Sequence, residues 1–261
     1  AATHEAGTPY IDAGATASDS FDGDLTGNIV TSGFVDVKVP GTYTISYNVG
    51  DAAGNAAAPV TRTVNVADTA APVIALLGDS NVTHEAGTSY TDAGANASDT
   101  LDGDLTSAIV LGNPVDVNVP GSYSVTYNVS DAAGNAAAQV SRTVNVADTT
   151  APVITLLDDV VVTHEAGTPY TDAGASASDS LDGDLTSAIV ASRSVDANVP
   201  GTYTISYNVS DAAGNAAAQV SRTVTVVDTT APVITLLGDA TVTHEAGEDY
   251  IDAGATAMDA V

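Results

Sequence analysis

The chain has 261 residues, with 33 Asp+Glu against 5 Lys+Arg and a formal net charge of −28. That balance excludes nucleic-acid binding, which needs a basic footprint, and docking on anionic membrane surfaces. Hydrophobic residues at 44% leave material for folded cores, while zero cysteines exclude disulfides, thiolate metal sites and cysteine nucleophiles. In chain order the predicted elements are all β. Residues 42–49 alternate polar and apolar, placing Tyr43, Ile45, Tyr47 and Val49 on one face. Pro40-Gly41 before them reads as a turn, and Asp51-Ala52-Ala53-Gly54-Asn55 after them as a hairpin loop with Gly54 free to take positive φ. The return strand is 60–66. Further strands are predicted at 73–77, 81–85, 89–93, around 109–110 and at 115–119. That makes about seven short strands per repeat, the count and spacing of a β-sandwich. Tyr43, Tyr123 and Tyr203, each just after Pro-Gly, sit where the hydroxyl of a tyrosine corner would reach back to the backbone.

His-Glu-Ala-Gly begins at His4, His84, His164 and His244, a period of 80 residues. Residues 71–150 and 151–230 agree at 62 of 80 positions, and each period carries about −8. The acidity therefore belongs to the repeating unit. A period of 80 is too long for a helical solenoid or a propeller blade and long enough for a small domain. The expected organisation is a tandem array: 1–67, a module lacking its first strand; 68–147 and 148–227, full modules; and 228–261, the start of a fourth. The ends read as a window on a longer array. The alternative is head-to-tail self-assembly, in which the strand that opens at Pro232 and closes at Leu236 is donated to the first module of another chain.

Several strings recur in a fixed order: Asp-Thr-Thr-Ala-Pro-Val-Ile-Thr-Leu-Leu at 148–157, then His-Glu-Ala-Gly-Thr-Pro-Tyr-Thr-Asp-Ala-Gly-Ala, Asp-Gly-Asp-Leu-Thr, Val-Pro-Gly-Thr-Tyr and Ser-Asp-Ala-Ala-Gly-Asn. Together they resemble the bacterial immunoglobulin-like domain that occurs in tandem in secreted and surface proteins and is also found in a pesticidal crystal protein. The resemblance covers essentially the whole chain. It implies tandem immunoglobulin-like β-sandwich modules, an extracellular or cell-surface setting, and no catalytic residues.

Most acids fall in recurring places. Asp102 and Asp104, and Asp182 and Asp184, form Asp-Gly-Asp in the loop assigned between the second and third strands. Asp131 and Asp211 open the hairpin between the last two strands, where turn capping is the competing role. Asp68 and Asp148 lie in the linkers, and Glu5 and Glu85 near the turn at the opposite end of each module. In an immunoglobulin-like sandwich a linker brings the Glu of one module to the Asp-Gly-Asp and hairpin Asp of the next. That collects hard oxygen ligands of the kind calcium (Ca2+) prefers. A calcium ion at the junctions, held by these ten residues, is the expected cofactor.

The histidines, one per repeat with no second His or Cys nearby, read as satisfied polar groups. Arg62, Arg142 and Arg222 share the parity of the apolar face and read as partners of a local Asp. Every candidate nucleophile recurs in each repeat without a nucleophile elbow, so no enzyme is expected. The expected function is an extracellular structural repeat, a stalk, spacer or filament, whose partners are neighbouring copies of the module. The alternative is an adhesin or a module binding a glycan or cell-surface ligand, with 111–114 and 191–194 as the stretch that varies most between copies.

Overall fold

A computed structural model of the protein describes residues 2–192, 194–259 and 261. Arg193, in the variable stretch 191–194, lies outside the described residues. The first repeat contributes β1 (Ala2–Glu5), β2 (Ser18–Asp19), β3 (Gly23–Asp24), β4 (Val30–Ser32), β5 (Gly41–Asn48) and β6 (Val60–Ala67). The second contributes β7 (Val73–Leu76), β8 (Asn81–Glu85), β9 (Ala95–Asp99), β10 (Gly103–Asp104), β11 (Val110–Gly112), β12 (Gly121–Asn128) and β13 (Val140–Ala147). The third contributes β14 (Val153–Leu156), β15 (Val161–Glu165), β16 (Ala175–Asp179), β17 (Gly183–Asp184), β18 (Val190–Ser192), β19 (Gly201–Asn208) and β20 (Val220–Val227), after which come β21 (Val233–Leu236) and β22 (Ala255–Met258). Among the described residues the only helices are 3-10 turns such as Thr106–Ala108, and no helix is long and apolar enough to cross a membrane.

In the second and third repeats a three-stranded sheet, β7-β9-β10 or β14-β16-β17, accompanies a four-stranded sheet, β8-β13-β12-β11 or β15-β20-β19-β18. The first repeat has the four-stranded sheet and the two-stranded β2-β3 ladder. The long hairpin forms because its strands alternate. Val125 and Tyr127 on β12 and Val144 and Val146 on β13 are all buried, while Thr126 and Asn145 between them are polar, and Asn145 Nδ2 donates to Asn81 Oδ1 at 2.9 Å. In the third repeat Ile154, Ala175 and Ala177 of the smaller sheet pack on Ile205, Tyr207, Val224 and Val226 of the larger. Each buried Val or Ile is worth about 1.5–3 kcal/mol, and the alanines opposite keep the layer thin. The fold is all-β, built from immunoglobulin-like sandwich repeats.

The cores of the second and third repeats each contain an arginine. Arg142 is 1% exposed, stands opposite Val125 in the β12–β13 ladder and pairs with the Asp92 carboxylate. It also donates to the Tyr127 hydroxyl at 2.9 Å, to the Asp79 carbonyl at 2.8 Å and to the Leu77 carbonyl. Arg222 repeats the arrangement with Asp172, Tyr207, Asp159 and Leu157. Burial raises the Tyr127 hydroxyl's pKa first, and its bond to Asp92 raises it further. Desolvation raises the Asp92 pKa as well, but the bonds from Tyr127 and Arg142 outweigh it and bring the carboxyl below the usual carboxylate value. Arg62 makes the same pair with Asp12 but is 32% exposed.

The tyrosine corner is present three times: Tyr43, Tyr123 and Tyr203 donate to the carbonyls of Val39, Val119 and Val199 at 2.7, 2.7 and 2.9 Å. Gly54 takes φ +89° in the hairpin loop. Two predicted strands are corrected. Residues 89–93 form no strand, because Asp92 turns its carboxylate back to the Gly94 amide at 2.9 Å and anchors Arg142; the strand is β9, six residues on. Residues 115–119 form no strand either, because Asp116 caps the Asn118 amide at 3.0 Å and makes a turn. The strand β21 pairs antiparallel with β22, Val233 opposite Met258 and Leu236 opposite Ala255, so donating it would break a ladder within the chain.

The chain divides into two compact units, 1–84 with 88–147 and 85–87 with 148–261. The turn at 85–87 goes with the second because Glu85 bonds Thr149 and Thr150 there and Gly87 abuts Ser180 and Leu181.

Candidate metal centre

In the second unit Glu85, the last residue of β8, reaches the linker that follows Ala147. One oxygen accepts the amides of Thr149 and Thr150 at 3.0 and 3.1 Å and the Thr150 hydroxyl at 2.7 Å; the other accepts the Thr149 hydroxyl at 2.5 Å. Donation from the Thr149 hydroxyl and amide, then from Thr150, lowers the Glu85 pKa to about 2. In the first unit Glu5 holds Thr69 and Ala70 in the same way, at 2.9 and 3.0 Å for the two amides. Ala70 offers no hydroxyl, so that clamp has one donor fewer. Glu165 repeats the fuller version on Thr229 and Thr230.

The linker aspartates lie beside these clamps. Asp148 is 9% exposed, and burial raises its pKa, with Asp179, Asp211 and Glu85 adding like charge. Burial likewise raises Asp68, and Asp131, Asp99, Glu5 and Asp102 push in the same direction. The hairpin reads the linker backbone: Asn135 Nδ2 donates to the Asp68 carbonyl at 3.2 Å, and Asn215 Nδ2 to the Asp148 carbonyl at 3.1 Å. Asp131 and Asp211 cap the Asn135 and Asn215 amides at 2.7 Å each. Asp102 and Asp182 accept the Ala132 and Ala212 amides at 2.7 Å each, tying the Asp-Gly-Asp loop to the hairpin.

Among the described residues two groups of carboxylates converge. Asp68, Asp99 and Asp131 place oxygens within 4.8 Å of one another, as do Asp148, Asp179 and Asp182. Four carboxylate oxygens among the described residues, Oδ2 of Asp68, Asp99, Asp148 and Asp179, are buried with no hydrogen-bond partner. An acceptor buried without a donor carries its full desolvation cost. Clustered unpartnered anions with no nitrogen or sulfur ligand suit a hard cation.

Of the ten residues expected at the junctions, Asp68, Asp131, Asp148 and Asp182 fall in these groups. Asp102 and Asp211 lie at their edge through the hairpin bonds. Glu5 and Glu85 grip the linker backbone. Asp104 and Asp184 stand apart: each is exposed and caps a 3-10 turn through the amide of Thr106 or Thr186 at 2.9 Å. Asp99 and Asp179, absent from the expected set, take that place. Each ends a strand and caps the next turn with Oδ1, accepting the amides of Leu101 and Asp102 or Leu181 and Asp182, which leaves Oδ2 free. The signal was the Asp three residues before the first acid of Asp-Gly-Asp, repeated in every copy.

An apolar contact accompanies the first site. Leu101 packs against the cluster of Ala6, Val64 and Val66, and Thr100 covers Gly7, where a Cβ would meet the Thr100 carbonyl at 3.1 Å. The histidines do not join the acids: His84 meets the Thr88 carbonyl at 3.0 Å and stands edge-on to Tyr90.

A family model described as bacterial surface protein, Ig-like domain, matches residues 1–66, 74–146 and 154–226. Over 132 residues the chain is 36% identical to the pesticidal crystal protein Cry22Aa of Bacillus thuringiensis, covering 49% of this chain and 18% of that protein. Over 205 residues it is 31% identical to hyalin of Strongylocentrotus purpuratus, covering 75% of this chain and 17% of that one. The chain therefore spans less than a fifth of the length of these relatives. Among solved structures, the lipoprotein BT2262 from Bacteroides thetaiotaomicron is 31% identical over 31% of this chain and 39% of its own, with a TM-score of 0.28.

Proposed function

The chain belongs to the bacterial surface Ig-like domain family, and from that premise we propose that it is a non-enzymatic extracellular structural array, a stalk or spacer stiffened by calcium where one repeat meets the next. One observation carries the reading: the unpartnered buried carboxylate oxygens occur where a linker aspartate meets the next repeat's loops, in both units. A spacer needs junctions that resist bending. The Glu clamp and the hairpin amide fix the linker backbone, and a divalent cation would neutralise the carboxylates gathered beside it. Each repeat then carries the same parts at an 80-residue interval, as a rod requires.

Calcium at about 100 times its dissociation constant adds ~2.7 kcal/mol per site to the folded state. The melting temperature of the full chain is therefore expected to rise in excess calcium relative to EDTA. Superimposable melting curves would remove calcium from the account.

A further inference from the structure

We propose that each junction cation is held by the Oδ2 atoms of the linker aspartate and of the aspartate that ends the third strand of the following repeat. These are Asp148 with Asp179 in the second unit and Asp68 with Asp99 in the first. Glu85 and Glu5 grip the linker and do not bind the ion. This assignment rests on reading the junctions as cation sites, and it separates the acids there into ligands and clamps.

The separation follows from which oxygens are already engaged. Glu85 accepts four donors from Thr149 and Thr150 across its two oxygens, so binding an ion would release the linker. Asp184 has one oxygen on the Thr186 amide and is exposed, outside the converging group. Asp148 is nine-tenths buried, and its Oδ2 and that of Asp179 have no donor. Both carboxylates are pre-oriented through their other oxygen, Asp148 by the Thr150 amide at 3.3 Å and Asp179 by two turn amides. Asp182 is fixed by the Ala212 amide through one oxygen and supplies the third carboxylate. In the first unit Asp131 takes that third place. Three carboxylates on loops that also offer carbonyls suit the adaptable oxygen shell of calcium better than the strict octahedron of magnesium.

The test is calorimetric titration of calcium into the chelator-treated full chain and its variants, with circular dichroism confirming the fold. The wild type is expected to bind two equivalents. Asp179→Asn keeps an oxygen for the two turn amides while removing the free carboxylate oxygen, and is expected to weaken one equivalent by ~100-fold or more. Asp148→Asn is expected to do the same to the same equivalent. Glu85→Gln and Asp184→Asn are expected to keep both equivalents. Two tight equivalents retained in both Asp179→Asn and Asp148→Asn, or one lost in Glu85→Gln, would overturn the assignment while leaving calcium at the junctions. A wild-type chain that binds no calcium would overturn the calcium reading itself.

Discussion

Glu85 accepts the backbone amide of Thr149 at 3.0 Å, across 64 residues of sequence. The residue that closes β8 thereby fixes the first residues of the linker that follows Ala147. With the Thr149 and Thr150 hydroxyls donating as well, the Glu85 pKa falls from 4.5 to about 2. A carboxyl whose folded pKa is depressed stabilises the fold above its unfolded value and loses that contribution as pH falls toward the folded one. The difference in melting temperature between wild type and Glu85→Gln is therefore expected to be constant above about pH 5 and to shrink between about 4.5 and 2. A difference that does not change with pH over that window would contradict the clamp.

The buried arginines supply a second prediction. Arg142 is 1% exposed and faces Asp92 and Tyr127. Removing one member of a buried pair leaves a charge without compensation, typically at a cost of about 3–5 kcal/mol. Arg142→Leu is expected to lower stability by that order in urea unfolding, and Arg62→Leu by much less because Arg62 is 32% exposed. Equal losses would show that burial does not set the cost.

Gly7 lies under Thr100 with φ +73°. An L-residue pays roughly 1–2 kcal/mol for the left-handed conformation, and its Cβ would also press on the Thr100 carbonyl at 3.1 Å. Gly7→Ala is expected to destabilise the first junction by about 2 kcal/mol or more. Gly14→Ala, at the same φ but with open space around the Cβ position, is expected to pay only the backbone part. Denaturant unfolding of the two variants separates the terms.

The two junctions are not alike in charge. Lys38 lines the same cleft as Asp68 and Asp102, whereas the equivalent positions of the later repeats are Asn118 and Asn198. A cation beside a cation site opposes binding, and one exposed charge is worth roughly a two- to fivefold change. Lys38→Asn is expected to tighten calcium binding at one equivalent by that factor, most clearly at low salt. Unchanged affinities at low ionic strength would place Lys38 outside the field of the site.

Much of the fold was legible because it rests on local rules. Alternation located β5 and β6, the Pro-Gly turn located the tyrosine corner, and the parity of Arg62, Arg142 and Arg222 pointed to aspartate partners. The β9 strand was hidden because its buried positions are Ala95 and Ala97, which carry little β signal, while the aromatic Tyr90 next to Thr and Asp imitated a strand where a turn forms. At the junctions, position in the sequence placed Asp68 and Asp148 in the linkers but did not show which carboxylates converge on them. Asp104 and Asp184 are set in the same short motif as Asp102 and Asp182, yet hydrogen bonding to Thr106 and Thr186 takes them elsewhere. Asp99 and Asp179 became recognisable only once the strand ending at each, and the oxygen each leaves free, were known.

The central claim is that calcium stiffens the junctions, and the absence of cysteine from the chain allows clean spin labelling. Thr42→Cys and Ser122→Cys place labels at exposed strand positions on either side of the first junction. Pulsed electron spin resonance then reports their distance distribution. The account predicts one narrow distribution in calcium that broadens in EDTA; identical distributions in the two conditions would contradict it.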